Sequence, residues 1–211
     1  MNAATPLGHR VGAIVIGASA GGVEVLSTLL PALPETIRAA VFVVLHQPPD
    51  RQSILAEIFS RKCKLPVREA EDKEPIEPGT IYFAPPNYHL LIEAGARIAL
   101  SVDDLVQFSR PSIDVLFHSA ADTYRERLLG ILLTGWNEDG AAGLLAVHAV
   151  KGITIVQDPQ SAEAPVMPQA AIRMHSPDFV LHPRAIADLL HGLEPAPATS
   201  GTSPARAAPA P

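Results

Sequence analysis

The feature that most constrains this chain is a set of short, almost wholly apolar runs alternating with helix-like stretches. Val11–Gly17, Ala40–Leu45, Gly130–Thr134 and Ile153–Gln157 are the clearest of these runs. A strand that buries one face alternates polar with apolar residues. Strands apolar on both faces belong in a parallel sheet covered by helices on each side. Helix-like segments separate them: Val23–Leu33, "SILAEIFSRK", "SIDVLFHSAADTYRERL", Ala141–Val150, a segment around Pro168–Met174, and Pro183–Gly192. In the longest, Ile113, Leu116, Phe117 and Ala120 share one face. A further strand is expected at Phe179–Leu181. The runs "TIYFAP", "HLLIE" and "RIALS" lie close enough together to pair as hairpins or a meander.

Residues 11–193 carry this pattern and, within the 211-residue chain, form a unit of single-domain size, usually ~100–200 residues. Residues 1–10 read as a flexible lead-in. Residues 194–211, "EPAPATSGTSPARAAPAP", have no apolar period and too little to bury to offset their ordering entropy, so a disordered tail is expected there. The net charge of −6 comes without any basic run, which argues against nucleic acid as a partner. Cys63 is the only cysteine, so no internal disulfide can form, as suits a reducing compartment. Flanked by Arg61, Lys62 and Lys64, it is either a nucleophile or an incidental helix-end residue. No segment approaches the ~20 apolar residues of a membrane span, and "MNAATPLGHR" lacks a signal peptide's apolar core. The expected location is the cytoplasm, without membrane insertion.

In open parallel sheets, ligands bind at the carboxyl ends of strands, and three of those ends carry reactive groups. The first strand ends in "GASAGG" with Ser19, the second in "VVLHQPPD" with His46, and a later one in "LLTGWNEDGAAGL" with Asp139. Each has a structural use of its own: Ser19 as a helix cap, His46 as a strand-end residue, Asp139 as a turn residue. Together they are the parts of a nucleophilic hydrolase. Histidine takes the hydroxyl proton, and the carboxylate orients the imidazole and stabilises its charged form. Histidine suits the task because its unperturbed pKa is ~6.5. Gly17 and Gly21 permit backbone angles other residues avoid, and N–H groups at the helix start, such as those of Ala20 and Gly21, would favour a developing oxyanion.

"G-A-S-A-G" matches the nucleophile elbow of α/β-hydrolases only locally, because those enzymes run Ser…Asp…His and place the elbow after several strands. A dinucleotide fold would want G-x-G-x-x-G and an acidic residue after the second strand, where this chain has His46. A P-loop would need Gly-Lys-Ser/Thr. The eight histidines show no paired ligand spacing of the zinc kind. No metal and no cofactor are expected.

With "IGASAGG", "VVLHQPP" and "LLTGWNEDGAAGL" in that order, the chain resembles the catalytic domain of CheB-type chemotaxis receptor methylesterases. "PVREAEDKEPIEPGTIYFAPPNYHLLI", "RPSIDVLFHSAA" and "ITIVQDPQSAEAPVMPQAAI" extend the likeness from about Val11 to Leu190. The resemblance implies an α/β fold: a doubly wound, mainly parallel sheet flanked by helices, with an added β-hairpin. It implies hydrolysis of glutamyl methyl esters on the cytoplasmic helices of methyl-accepting chemoreceptors, or on another methylated or amidated protein, and deamidation of glutamine. By this likeness Ser19 is the nucleophile, His46 the general base and acid, and Asp139 the orienting carboxylate. The main-chain N–H of Trp136 is the oxyanion donor, helped by Ala20 and Gly21. Met167 borders the cleft, or marks a loop-to-helix junction. Arg110, with Ser112 and Asp114, orients substrate or opens the long helix. His89, His118 and His148 read as structural or surface residues.

Two departures stand out. Where the family commonly reads Thr-Gly-Met-Gly, this chain reads Thr134-Gly135-Trp136-Asn137. Asparagine tolerates a left-handed backbone but not every glycine conformation, so the oxyanion turn is the point at which a non-catalytic binding module, or an esterase for another substrate, would show itself. The family also usually carries an N-terminal receiver domain, and only about ten residues precede the first strand here, so a stand-alone relative is expected.

Overall fold

The computed structural model describes residues 11–50 and 52–193; the expected lead-in and tail lie outside them. Seven parallel strands form the central sheet. They are β1 (Ala13–Ala18), β2 (Ala40–Leu45), β3 (Val67–Glu69), β4 (Ile81–Phe83), β7 (Leu128–Leu132), β8 (Ile153–Gln157) and β9 (Phe179–Leu181), in the order β3-β4-β2-β1-β7-β8-β9. Among the described residues six α-helices accompany it: α1 (Gly22–Leu29), α2 (Leu55–Ser60), α3 (Ile113–Tyr124), α4 (Ala141–Ala149), α5 (Val166–Met174) and α6 (Pro183–His191). An antiparallel hairpin, β5 (His89–Glu93) with β6 (Arg97–Ser101), stands apart from the sheet. This is the doubly wound α/β architecture with an added hairpin.

Both faces of the sheet are buried, which is why the strands are apolar throughout. Along β1, Ala13 and Val15 enter the core under α3 and α4, while Ile14, Ile16 and Ala18 enter the core under α1 and α6. Each fully buried aliphatic side chain contributes roughly 1.5–3 kcal/mol, so the two cores dominate the stability. Among the described residues, no helix is long and apolar enough to cross a membrane.

Two expectations are corrected. The run containing Ile81–Phe83 does not join the hairpin; it enters the main sheet beside β2 because all three residues are buried. The edge strand β3 was not anticipated. It is short, carries Arg68 and Glu69, and is only partly buried, so it has no apolar signature.

β1 sits where the strand order reverses, with β2 on one side and β7 on the other. The loops after these three strands leave in opposite directions and open a crevice between them. Close packing here requires glycine. A Cβ on Gly17 would overlap the Ile113 side chain and stand 3.0 Å from Leu132 Cδ1. Gly17→Ala is therefore expected to cost about 1–3 kcal/mol, read as a lower urea midpoint at unchanged slope.

Candidate active site

Ser19 follows β1 in a tight elbow. Its N–H donates to the Thr134 carbonyl (2.9 Å), and its own carbonyl accepts from Gly22 N–H (2.9 Å). Gly21, the residue before α1, has φ +76°, in the left-handed region that favours glycine. The N–H groups of Ala20 and Gly21 have no acceptor among the described residues. They lie at the start of α1, where the helix dipole favours negative charge.

Asp139 is fully buried, and a buried carboxylate is costly unless hydrogen-bonded. Four donors meet it. Oδ1 accepts from Ser112 Oγ (2.8 Å) and Asp114 N–H (3.0 Å); Oδ2 accepts from Ile113 N–H (2.7 Å) and pairs with His46 Nε2 (2.8 Å). Asp139 thus caps the first turn of α3 from another part of the chain. Asp114, in that same first turn, returns the interaction, its Oδ1 accepting from Gly140 N–H (3.0 Å) and Gly143 N–H (2.6 Å) at the start of α4.

His46 follows β2, and its N–H donates to the Ala18 carbonyl (3.1 Å). With Nε2 turned to a carboxylate, that nitrogen carries the proton and Nδ1 keeps the lone pair. The Ser109 hydroxyl lies 3.5 Å from Nδ1. Ser19 and His46 line one groove of about 530 Å³, together with Gln47 and Glu163. No hydrogen bond joins Ser19 to His46 among the described residues. The geometry therefore makes the histidine–carboxylate link directly and brings the serine to the same groove without closing the second link.

The elbow and the turn after β7 are stitched together. Thr134 Oγ1 donates to the Ala20 carbonyl (2.9 Å) and accepts from Ala164 N–H (2.9 Å), while Thr134 N–H donates to Gln157 Oε1 (2.9 Å). A Cβ on Gly135 would stand 3.0 Å from the Ser19 Cβ and 2.7 Å from the Met167 sulfur. The next N–H, that of Trp136, has no acceptor among the described residues. Chemically, the elbow that carries the Ser19 hydroxyl and the turn after β7 each present N–H groups without an acceptor among the described residues, with an oriented imidazole in the groove that Ser19 lines.

The sequence model of the CheB methylesterase family matches residues 14–190. The chain belongs to the CheB methylesterase family. It is 44% identical over 182 residues to a protein from Leptospira interrogans, covering 86% of this chain and 94% of that one. It is 36% identical to the protein-glutamate methylesterase/protein-glutamine glutaminase of Symbiobacterium thermophilum, over 84% of this chain and 49% of that protein. The CheB methylesterase catalytic domain of Thermotoga maritima superposes with a TM-score of 0.82 at 32% identity, covering 87% of this chain and 98% of that one.

Against the CheB likeness, several sequence expectations are refined. Asn137, which takes a position commonly held by glycine, has no left-handed backbone, so its side chain imposes no strain. Its Oδ1 accepts from Asp139 N–H (3.3 Å), and its Nδ2 lies 3.4 Å from both the Gln107 carbonyl and Ser109 Oγ. The Trp136 side chain is 65% exposed, a rim position rather than core packing. Met167, the second residue of α5, stands at the loop-to-helix junction that is one of its two expected readings; it is buried against Gly135 and donates its N–H to the Gly135 carbonyl (3.0 Å). Arg110 donates to Asn87 Oδ1 (2.7 Å), the Val102 carbonyl (2.7 Å) and the Asp103 carbonyl (2.9 Å), and it lines a groove with His46. Ser112 and Asp114 orient Asp139 instead of substrate. His89 is structural and buried, accepting from Ser112 N–H (3.1 Å) and lying 3.1 Å from the Asp104 carbonyl. Ser109, Thr134 and Gln157 were missed; the strand-end rule that singled out Ser19 would also have reached Thr134 and Gln157.

Burial pushes the Cys63 thiol up to about 11, which leaves it protonated and unsuited to nucleophilic attack near neutral pH. Burial also raises the Asp114 carboxyl above its ordinary 3.8, opposed by the Gly143 N–H and reinforced by the Asp139 carboxylate. A raised acid binds more protons folded than unfolded, so its contribution to stability falls as pH rises. Wild type is therefore expected to lose stability relative to Asp114→Asn as pH rises above 3.8, in urea midpoints measured across pH. A pH-independent difference would contradict this assignment.

Proposed function

We propose that this chain hydrolyses methyl esters of glutamyl side chains on methyl-accepting chemoreceptors, or on another methylated protein, and deamidates glutamine at the same site. The observation that carries the reading is the 2.8 Å His46–Asp139 pair in the groove that holds Ser19, in a chain of the CheB methylesterase family. Ser19 Oγ attacks the ester carbonyl and gives its proton to His46 Nδ1, since Nε2 is engaged by Asp139. The carbonyl oxygen gathers negative charge beside the N–H groups of Trp136, Ala20 and Gly21, which fixed donors stabilise without reorganising. The imidazolium then protonates the departing methanol, with Asp139 balancing its charge. Water, losing a proton to the same nitrogen, releases the carboxylate product and restores Ser19. Glutamine follows the same course with ammonia as the poorer leaving group. The cytoplasm is the compartment this reading implies, because the modified receptor helices lie there.

Ser109 is the rival hydroxyl, lying 3.5 Å from Nδ1. Two variants separate the roles by methanol release from membranes carrying a methylated receptor. Ser19→Ala is expected to lower the rate by at least ~10³-fold, the scale on which removal of a nucleophile acts. Ser109→Ala is expected to lower it by less than about tenfold, as for a weak neutral hydrogen bond. The reverse ranking would make Ser109 the nucleophile. Ammonia release from a glutamine-bearing receptor is expected to be slower than methanol release and to vanish with the same Ser19 variant.

A further inference from the structure

We infer that Phe108 is the anchor by which this chain holds its protein substrate, receiving apolar side chains of the polypeptide that flanks the modified residue. The inference rests on the methylesterase reading above. Phe108 is 96% exposed, the most exposed large apolar side chain among the described residues. Leaving a phenyl ring in water forgoes the burial that ordinarily stabilises a fold. The backbone beneath it is also unfavourable. Gln107 has φ 49° and Phe108 φ 61°, two consecutive left-handed residues that both carry a Cβ. Such turns favour asparagine and glycine. A bulky residue held there, solvated and strained, is an outlier of the kind found at functional positions.

The tip is held firmly. Val106 and Ser109 exchange two backbone hydrogen bonds (3.2 and 2.9 Å) across the turn. Arg110 ties the base of the loop to Asn87 and to two of the loop's own carbonyls, and His89 lies within hydrogen-bonding distance of the Asp104 carbonyl. An aromatic on a braced tip loses little freedom on binding, which is the property of interface anchors.

Its position is tied to the site. Phe108 and Leu105, the latter 58% exposed, line a groove of about 510 Å³ together with His46, Pro48 and Pro49. His46 thus borders both this groove and the one containing Ser19. Asn137 reaches the Gln107 carbonyl, linking the loop to the turn that bears exposed Trp136. A glutamyl side chain is short. When its ester reaches Ser19, the backbone that carries it must cross the surrounding rim, and Phe108 and Leu105 are the apolar side chains waiting beside His46.

The test uses the full chain and two substrates. One is a vesicle carrying a methylated chemoreceptor, read by methanol release; the other is p-nitrophenyl acetate, too small to span the rim. Phe108→Ala and Phe108→Gly are each expected to lower kcat/KM on the vesicles by about tenfold or more, chiefly through KM. The ratio of the two kcat/KM values falls with it. Urea midpoints at or above that of wild type, with glycine the higher because it accepts the left-handed backbone, separate lost docking from lost folding. Undiminished activity on vesicles, or a proportional loss on both substrates, overturns the anchor. A wild type that hydrolyses the small ester but releases no methanol from vesicles overturns the methylesterase reading, and the proposed occupant with it.

Discussion

Two helix N-termini that exchange carboxylates hold this site together. Asp139, just before α4, caps α3; Asp114, in the first turn of α3, caps α4. Each helix start has unpaired N–H groups and a positive dipole end, and each buried acid needs donors. The exchange satisfies both requirements at once. Breaking either half would take two backbone donors from a buried carboxylate, and each buried polar group left unmet costs about 1–3 kcal/mol. The orientation of His46 follows from this lock, because Asp139 Oδ2 presents its remaining acceptor capacity toward Nε2.

The sheet supplies the rest of the geometry. β1, β2 and β7 are neighbours, so residues distant in sequence leave the same edge within reach of one another. Small residues make the approach possible. Gly17 and Gly140 both face Ile113, letting α3 settle close enough for its first turn to meet Asp139. The same isoleucine that fills the core donates its N–H to the carboxylate. Packing and polar orientation thus depend on one residue, and neither can shift independently.

Much of this was legible in the sequence. Strands buried on both faces are apolar without interruption, so β1, β2, β7 and β8 declared themselves, and the ends of the first three located Ser19, His46 and Asp139. What was not legible has no periodic signature. β3 is a short polar edge. Met167 read equally as a cleft residue or a loop-to-helix junction, because only the coordinates reveal that Gly135 opens a space for its sulfur. The apparent risk at Asn137 came from assuming that a position commonly glycine requires glycine's backbone; here the φ is ordinary, and the side chain makes contacts of its own. Phe108 gives no signal in the sequence, because its exposure depends on turn angles that no local pattern announces. Ser112 opens the long helix, one of its two expected readings, and its hydroxyl turns to Asp139, a partner 27 residues along the chain.

The 102–110 loop shares hydrogen bonds with Asn87, His89 and Asn137, and its Ser109 hydroxyl lies 3.5 Å from His46 Nδ1. The recognition surface is thereby coupled to the catalytic frame through Asn137 and Ser109, while the Phe108 side chain stands in solvent. The Phe108 side chain, unlike that of Ser109, makes none of these links, so its position is free to diverge without re-engineering the elbow, the imidazole or the capped helices. One chemical apparatus could in this way be readdressed to different target proteins by changing a single side chain.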